Sequence, residues 1–129
     1  MNPLQRDITV VRGNSGPKAG IIFRLQAGDP LEPIAYEDIR LSVYDKRGTT
    51  EILRATLGNG GIVVLDEPTG TIAWSPTAEE SRSIPKSSDG VTPKATYELE
   101  VWNAGTELTY MMGGVIAIGG VNDDVESDS

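Results

Sequence analysis

Ile39-Arg40-Leu41-Ser42-Val43-Tyr44 decides the fold class. Branched apolar residues alternate with polar ones at a period of two, which in an extended chain gives one apolar face and one wet face. Asp45-Lys46-Arg47-Gly48 then reads as a turn, and residues 50–56 return with Ile52 and Leu53, so the stretch predicts an antiparallel hairpin.

The same grammar extends in both directions. The chain has 129 residues with 15 glycines and 8 prolines. Turn residues recur roughly every ten positions between short β-branched runs, the pattern of a sandwich or barrel. Upstream, residues 6–12 carry Ile8, Val10 and Val11, and Gly13-Asn14-Ser15-Gly16-Pro17 ends the run. Residues 20–26 read as a second strand through Ile21, Ile22, Phe23 and Leu25, followed by a loop with Pro30 and Pro33. Downstream, Gly58-Asn59-Gly60-Gly61 is a tight turn, and residues 62–65 read as a short buried strand. After the turn Asp66-Glu67-Pro68-Thr69-Gly70, residues 71–75 place Ile72 and Trp74 on one face. Thr77 stands three before Glu80, the spacing of a capping box, which predicts a short helix to about Ser83, stopping before Pro85. Lys86-Ser87-Ser88-Asp89-Gly90 reads as an exposed flexible loop. Residues 95–103 alternate again, with Tyr97, Leu99 and Val101 on one face and Glu98, Glu100 and Trp102 on the other. Residues 107–118 form the last strand or pair of strands.

Hydrophobic residues make up 38% and charged residues 23%, enough for one modest core and too apolar for a wholly disordered chain. The reading is therefore all-β: a single antiparallel β-sandwich over residues 1–120 with one short helix, then an acidic tail over residues 121–129. The net charge of -8 argues against duplex DNA and anionic membranes, whose binders need clustered cations. Cysteine and histidine are both absent, which removes disulfides, thiolate zinc sites, thiol nucleophiles and the commonest general base. The apolar stretch from Met111 to Val121 is broken by four glycines and falls short of the roughly 20 residues that span a bilayer. The N-terminus lacks the basic start and apolar run of a secretion signal, so assembly in a cytoplasm is expected.

No constellation predicts catalysis, a metal or a cofactor. The acidic neighbours Glu37/Asp38, Asp66/Glu67, Glu79/Glu80 and Asp123/Asp124 fall on strands or in turns, where adjacent side chains diverge or meet water. The acids after Asn122 lack the spacing and the glycine of an EF-hand loop. Serine nucleophiles lack a histidine partner, and Ser83 with Lys86 falls by a wet loop. Trp74, in phase with Ile72, belongs to the core. Trp102 shares a face with two glutamates, which predicts partial exposure and a contact role. Tyr110 and Met111 join it as candidate contact residues, and so do the tail acids Asp123, Asp124 and Glu126. Half of the net -8 lies in the last seven residues.

The order of the elements carries a resemblance. Arg12-Gly13-Asn14 precedes an apolar strand, and Gly70-Thr71-Ile72-Ala73-Trp74-Ser75 leads into the helical turn Thr77-Ala78-Glu79-Glu80-Ser81. Ala95-Thr96-Tyr97-Glu98-Leu99-Glu100 and Gly113-Gly114-Val115-Ile116-Ala117-Ile118 close the series. Over about residues 6–120, a single-core length, this resembles small bacteriophage virion proteins related to the immunoglobulin-like N-terminal domain of phage baseplate upper proteins. The chain departs from that family in having Ser81 where threonine is usual, and in lacking a long fibre extension. The resemblance implies an immunoglobulin-like fold and a non-enzymatic adaptor at the tail, baseplate or fibre attachment, working in a symmetric homo-oligomeric ring with other virion proteins. It implies no nucleic-acid or membrane partner. A head decoration or head–tail joining subunit is the nearest alternative. A carbohydrate-binding module stacking sugar on Trp102 and Tyr110 is a third.

Overall fold

The computed structural model describes residues 3–16 and 21–123. Its strands are β1 (Leu4–Gln5), β2 (Ile8–Val11), β3 (Ile22–Arg24), β4 (Gln26–Ala27), β5 (Glu32–Pro33), β6 (Asp38–Asp45), β7 (Glu51–Thr56), β8 (Ile62–Asp66), β9 (Thr71–Trp74), β10 (Ala95–Asn103) and β11 (Thr106–Ile118). One helix, α1 (Ala78–Ser83), and a 3-10 turn over Glu67–Thr69 complete the described elements.

The predicted hairpin is β6 and β7, paired antiparallel with Leu41 opposite Ala55. Its turn is fixed by Asp45, whose carboxylate accepts from the N–H groups of Thr49 (2.8 Å) and Thr50 (3.3 Å). The Thr49 bond leads in holding that carboxyl below its ordinary pKa. β10 pairs with the other side of β6, and β11 with β10, both antiparallel. β1 and then β2 join the outer side of β11 in parallel, completing a six-stranded sheet. A second sheet runs β3-β9-β8, and β4 with β5 forms a small hairpin.

The fold is therefore all-β with mixed sheets, which corrects the expectation of a wholly antiparallel arrangement. The cause lies at the glycine pair of β11. A Cβ on Gly113 would run into the carbonyl of Arg6, so only glycine lets the N-terminal segment lie this close. There the Arg6 N–H donates to the Met112 carbonyl (2.9 Å) and Gly114 N–H to the Asp7 carboxylate (2.8 Å).

Side chains of both sheets meet in one core. Ile39, Leu41, Val43, Tyr97, Leu99 and Val101 come from the large sheet, and Phe23, Ile72 and Trp74 from the small one. Phe23 and Tyr97 touch across it with ring centroids 6.3 Å apart. Trp74 is fully buried, in phase with Ile72 as its spacing requires. Burial moves the Tyr97 phenol up to about 12, and its hydroxyl donates to the Arg6 carbonyl at 2.6 Å.

α1 carries the predicted capping box: Glu80 N–H donates to Thr77 Oγ1 (3.0 Å) and Thr77 N–H to Glu80 Oε1 (2.9 Å). Three other expectations need correction. Ser42, assigned to a wet face, is fully buried beneath its larger neighbours. Residues 62–65 form the expected strand with Ile62 in the core, but its later residues are not buried. Val64 is 39% and Leu65 46% exposed, because β8 lies at a sheet edge and its register slips between Val64 and Asp66. The segment after Pro85 is not a free loop. Ser87 is buried, its N–H donates to the Ala117 carbonyl (2.8 Å), and Lys86 forms a parallel bridge with Ala117. Asp89 gathers the Thr92 hydroxyl, the N–H groups of Val91 and Thr92 and the Ser87 hydroxyl. Led by the Thr92 hydroxyl, these hold its carboxyl far below the usual carboxylate range.

Candidate functional site

Alternation along β10 sends Tyr97, Leu99 and Val101 into the core and leaves Thr96, Glu98, Glu100 and Trp102 on the outer face of the large sheet. Register places Tyr44, Ser42, Arg40 and Asp38 of β6 beside them in that order. Met112, Thr109 and Glu107 of β11 flank Glu98, Glu100 and Trp102 on the other side. Among the described residues no helix or further sheet forms a layer over this face.

The Arg40 guanidinium lies 3.7 Å from the centroid of the Trp102 ring. Its Nε is 3.3 Å from Asp38 Oδ2, and Asp38 Oδ1 accepts from the Ile39 N–H at 2.9 Å. Arg40 is thus fixed from two directions, by a π-face and by a carboxylate itself held by the backbone. Glu100 stands directly across from Arg40. Burial first, and then the charges of Glu98 and Glu107, raise its pKa, against the opposing pull of Arg40 and Arg54. Two polar atoms under this layer, Trp102 Nε1 and Ser42 Oγ, have no protein partner. Towards the β6–β7 turn the face dips into an open depression of about 630 Å³ lined by Gln5, Tyr44, Lys46, Thr96, Glu98 and Met112.

The candidate residues divide. Trp102 is half-buried on the outer face, as its phase predicts. Tyr110 and Met111 are buried instead, at 4% and 8% exposure. The register of β10 and β11 slips between Leu99 and Glu100, leaving Tyr110 as an extra residue that a plain alternation would not place. Its hydroxyl donates to the Arg24 carbonyl (2.8 Å) and accepts from the Gln26 N–H (3.3 Å), so it ties two strands together. Met111, opposite Leu99, packs into the core. Asp123 turns back onto the fold: its carboxylate lies 2.9 Å from Arg12 Nη1, with only 9% of the side chain exposed. Beside it the Asn122 carbonyl accepts from the Arg82 guanidinium, and Asn122 Nδ2 donates to Asn14 Oδ1 (3.0 Å). Asp124 and Glu126 lie outside the described residues.

Chemically, this face is a charged platform with two aromatic side chains, Trp102 and Tyr44. The Trp102 ring has one side covered by Arg40, where a sugar would have to stack. Among the described residues no group of three acidic side chains gathers as a cation site. Arg40 escaped the sequence reading although its signal was present: Asp38 and Arg40 share one strand face two residues apart. That Trp102 lies beside them depends on a strand pairing between positions some sixty residues apart, which no local pattern reveals. Compared with known proteins, the chain matches no family model and no curated protein.

Proposed function

We propose that this chain is a non-enzymatic structural protein of a bacteriophage particle, an adaptor at the tail, baseplate or fibre-attachment region that works by protein–protein contact. The observation that carries the contact role is the Arg40–Trp102 pair on a sheet face that no other layer covers. Arginine and tryptophan are the residues in which contact energy concentrates, and ordering them beforehand lowers the entropy a partner must overcome. The flanking Glu98, Glu100 and Glu107 give the partner surface a required sign: cations opposite β10 and β11. The two sheets sharing one core accord with an immunoglobulin-like sandwich, the finer form of this all-β fold. The placement in a virion follows from the resemblance of residues 6–120. In that setting neighbouring copies and other virion proteins dock against a scaffold that does not move, within a symmetric homo-oligomeric assembly.

The test is quantitative mass spectrometry of purified phage particles encoding this chain. A fixed copy number is expected, and Arg40→Ala with Trp102→Ala should lower it. Absence of the chain from particles overturns the virion reading, and unchanged occupancy of the double variant overturns the role of this face.

A further inference from the structure

A sheet edge exposes backbone hydrogen-bonding groups, and folded chains normally block it. Two of the edges here are blocked by side chains. On β3, the Arg6 guanidinium donates to the Ile22 carbonyl (3.2 Å) and the Tyr110 hydroxyl to the Arg24 carbonyl (2.8 Å). On β7, the Asn59 amide takes both the Thr56 N–H (2.9 Å) and the Arg54 carbonyl (3.0 Å), and Glu51 pairs with Arg54.

β8 is different. It pairs with β9 on one side only, and among the described residues no side chain bonds the backbone of residues 62–65. Ser75 N–H donates to the Gly61 carbonyl, and Val63 lies opposite Ala73. Successive residues of a ladder face alternate sides, so the N–H and C=O of Ile62 and Val64 point away from β9. Val64 and Leu65 are exposed beside them. Residues 58–65 carry no charge, in a chain of net -8.

We infer that β8 is the pairing edge for a second copy of this chain, strand against strand, antiparallel about a two-fold axis at Val63. In that register Ile62 of each copy faces Val64 of the other, and the two pairs exchange four backbone hydrogen bonds. Asp66 then falls opposite the uncharged Gly60, so no carboxylate meets its like. Head-to-tail addition through the small sheet is closed off because its other edge, β3, is already occupied; only the self-complementary arrangement remains. Two acidic molecules thus meet along a stretch free of charge. The inference deepens the reading of a homo-oligomeric assembly by naming one of its contacts, but its test uses the isolated chain.

Sedimentation of the purified protein across a concentration series should show a reversible dimer. Val64→Lys and Leu65→Lys, both at exposed positions, should leave the circular dichroism and melting temperature unchanged and abolish the dimer. Ile22→Lys, as exposed but on the blocked β3 edge, should leave it intact. Hydrogen exchange at Ile62 and Val64 should slow as protein concentration rises. A monomer at all concentrations overturns the inference, as does a dimer that survives both β8 lysines or is lost equally with Ile22→Lys. So does a monomer whose β8 amides are protected only by an added extended valine–threonine peptide. Loss of the chain from phage particles would overturn the virion reading while leaving this contact standing.

Discussion

The guanidinium of Arg40 and the indole of Trp102, on adjacent strands of the large sheet, are stacked at 3.7 Å on its outer face, whereas Trp74 is fully enclosed between the sheets. The two tryptophans therefore differ in what their removal costs. Trp74→Ala empties a core site and should lower stability by roughly 3–5 kcal/mol. Trp102→Ala loses a half-buried ring together with its cation–π contact and should cost roughly 1–3 kcal/mol, less than Trp74→Ala, while weakening assembly. Urea unfolding of the isolated variants, beside their incorporation into particles, checks both halves.

The Arg12–Asp123 pair changes what truncation tests. A cut that removes residues 121–129 takes away both the acidic arm and the clamp. Cutting after Asp123 separates them. Asp123→Ala should cost about 1–3 kcal/mol, since it leaves a mostly covered guanidinium short of a charged partner. The cut after Asp123 should leave the melting temperature in place. If the arm docks on a basic neighbour, the same cut lowers particle occupancy in a salt-dependent way.

Glu100 supplies a pH dependence. Its raised pKa means that the folded protein keeps this proton longer than the unfolded chain does. Stability contributed by the protonated form is present below the ordinary value of 4.5 and is lost as pH rises through the raised value. Glu100→Gln stays neutral throughout. It should gain stability relative to the parent as pH rises out of that window, and the two should converge below it. Urea midpoints measured between about pH 3 and pH 7 would show the divergence.

Ser81 is a buried structural hydroxyl. It accepts from the Gly13 N–H (2.9 Å) and lies 2.8 Å from the Asn14 carbonyl, pinning α1 to the turn after β2. Ser81→Ala should cost about 1–3 kcal/mol by leaving that N–H unpaired. Faster amide exchange at Gly13, with the far-UV spectrum unchanged, would locate the damage.

Much of the fold was legible in the sequence, because alternation and capping are local. Residues 95–103 gave their strand and both of its faces, and Thr77 with Glu80 gave the helix start. Failures came where a distant partner overrides the local pattern. Tyr110 turns inward at a slip in register, Val64 and Leu65 lie at an edge, and Ser42 is covered by neighbours from other strands. The parallel pairing of β1 and β2 with β11 joins segments some hundred residues apart, beyond the reach of any window. Of the candidate site, Trp102 was visible through its phase with Glu98 and Glu100, whereas its partner Arg40 required knowing that β6 lies beside β10.

That long-range pairing sets the timing of folding. β11 is the strand on which β1, β2 and β10 all converge, and the Arg12–Asp123 clamp closes a separation of 111 residues. A ribosome must therefore release β11 before β1 and β2 find their neighbour. Until then Ile8 and Val10 stay uncovered, and the β6–β7 hairpin, whose contacts are local, is the piece able to form early. Slow closure on a nascent chain makes the interval of synthesis, rather than the finished molecule, the point of greatest exposure to aggregation.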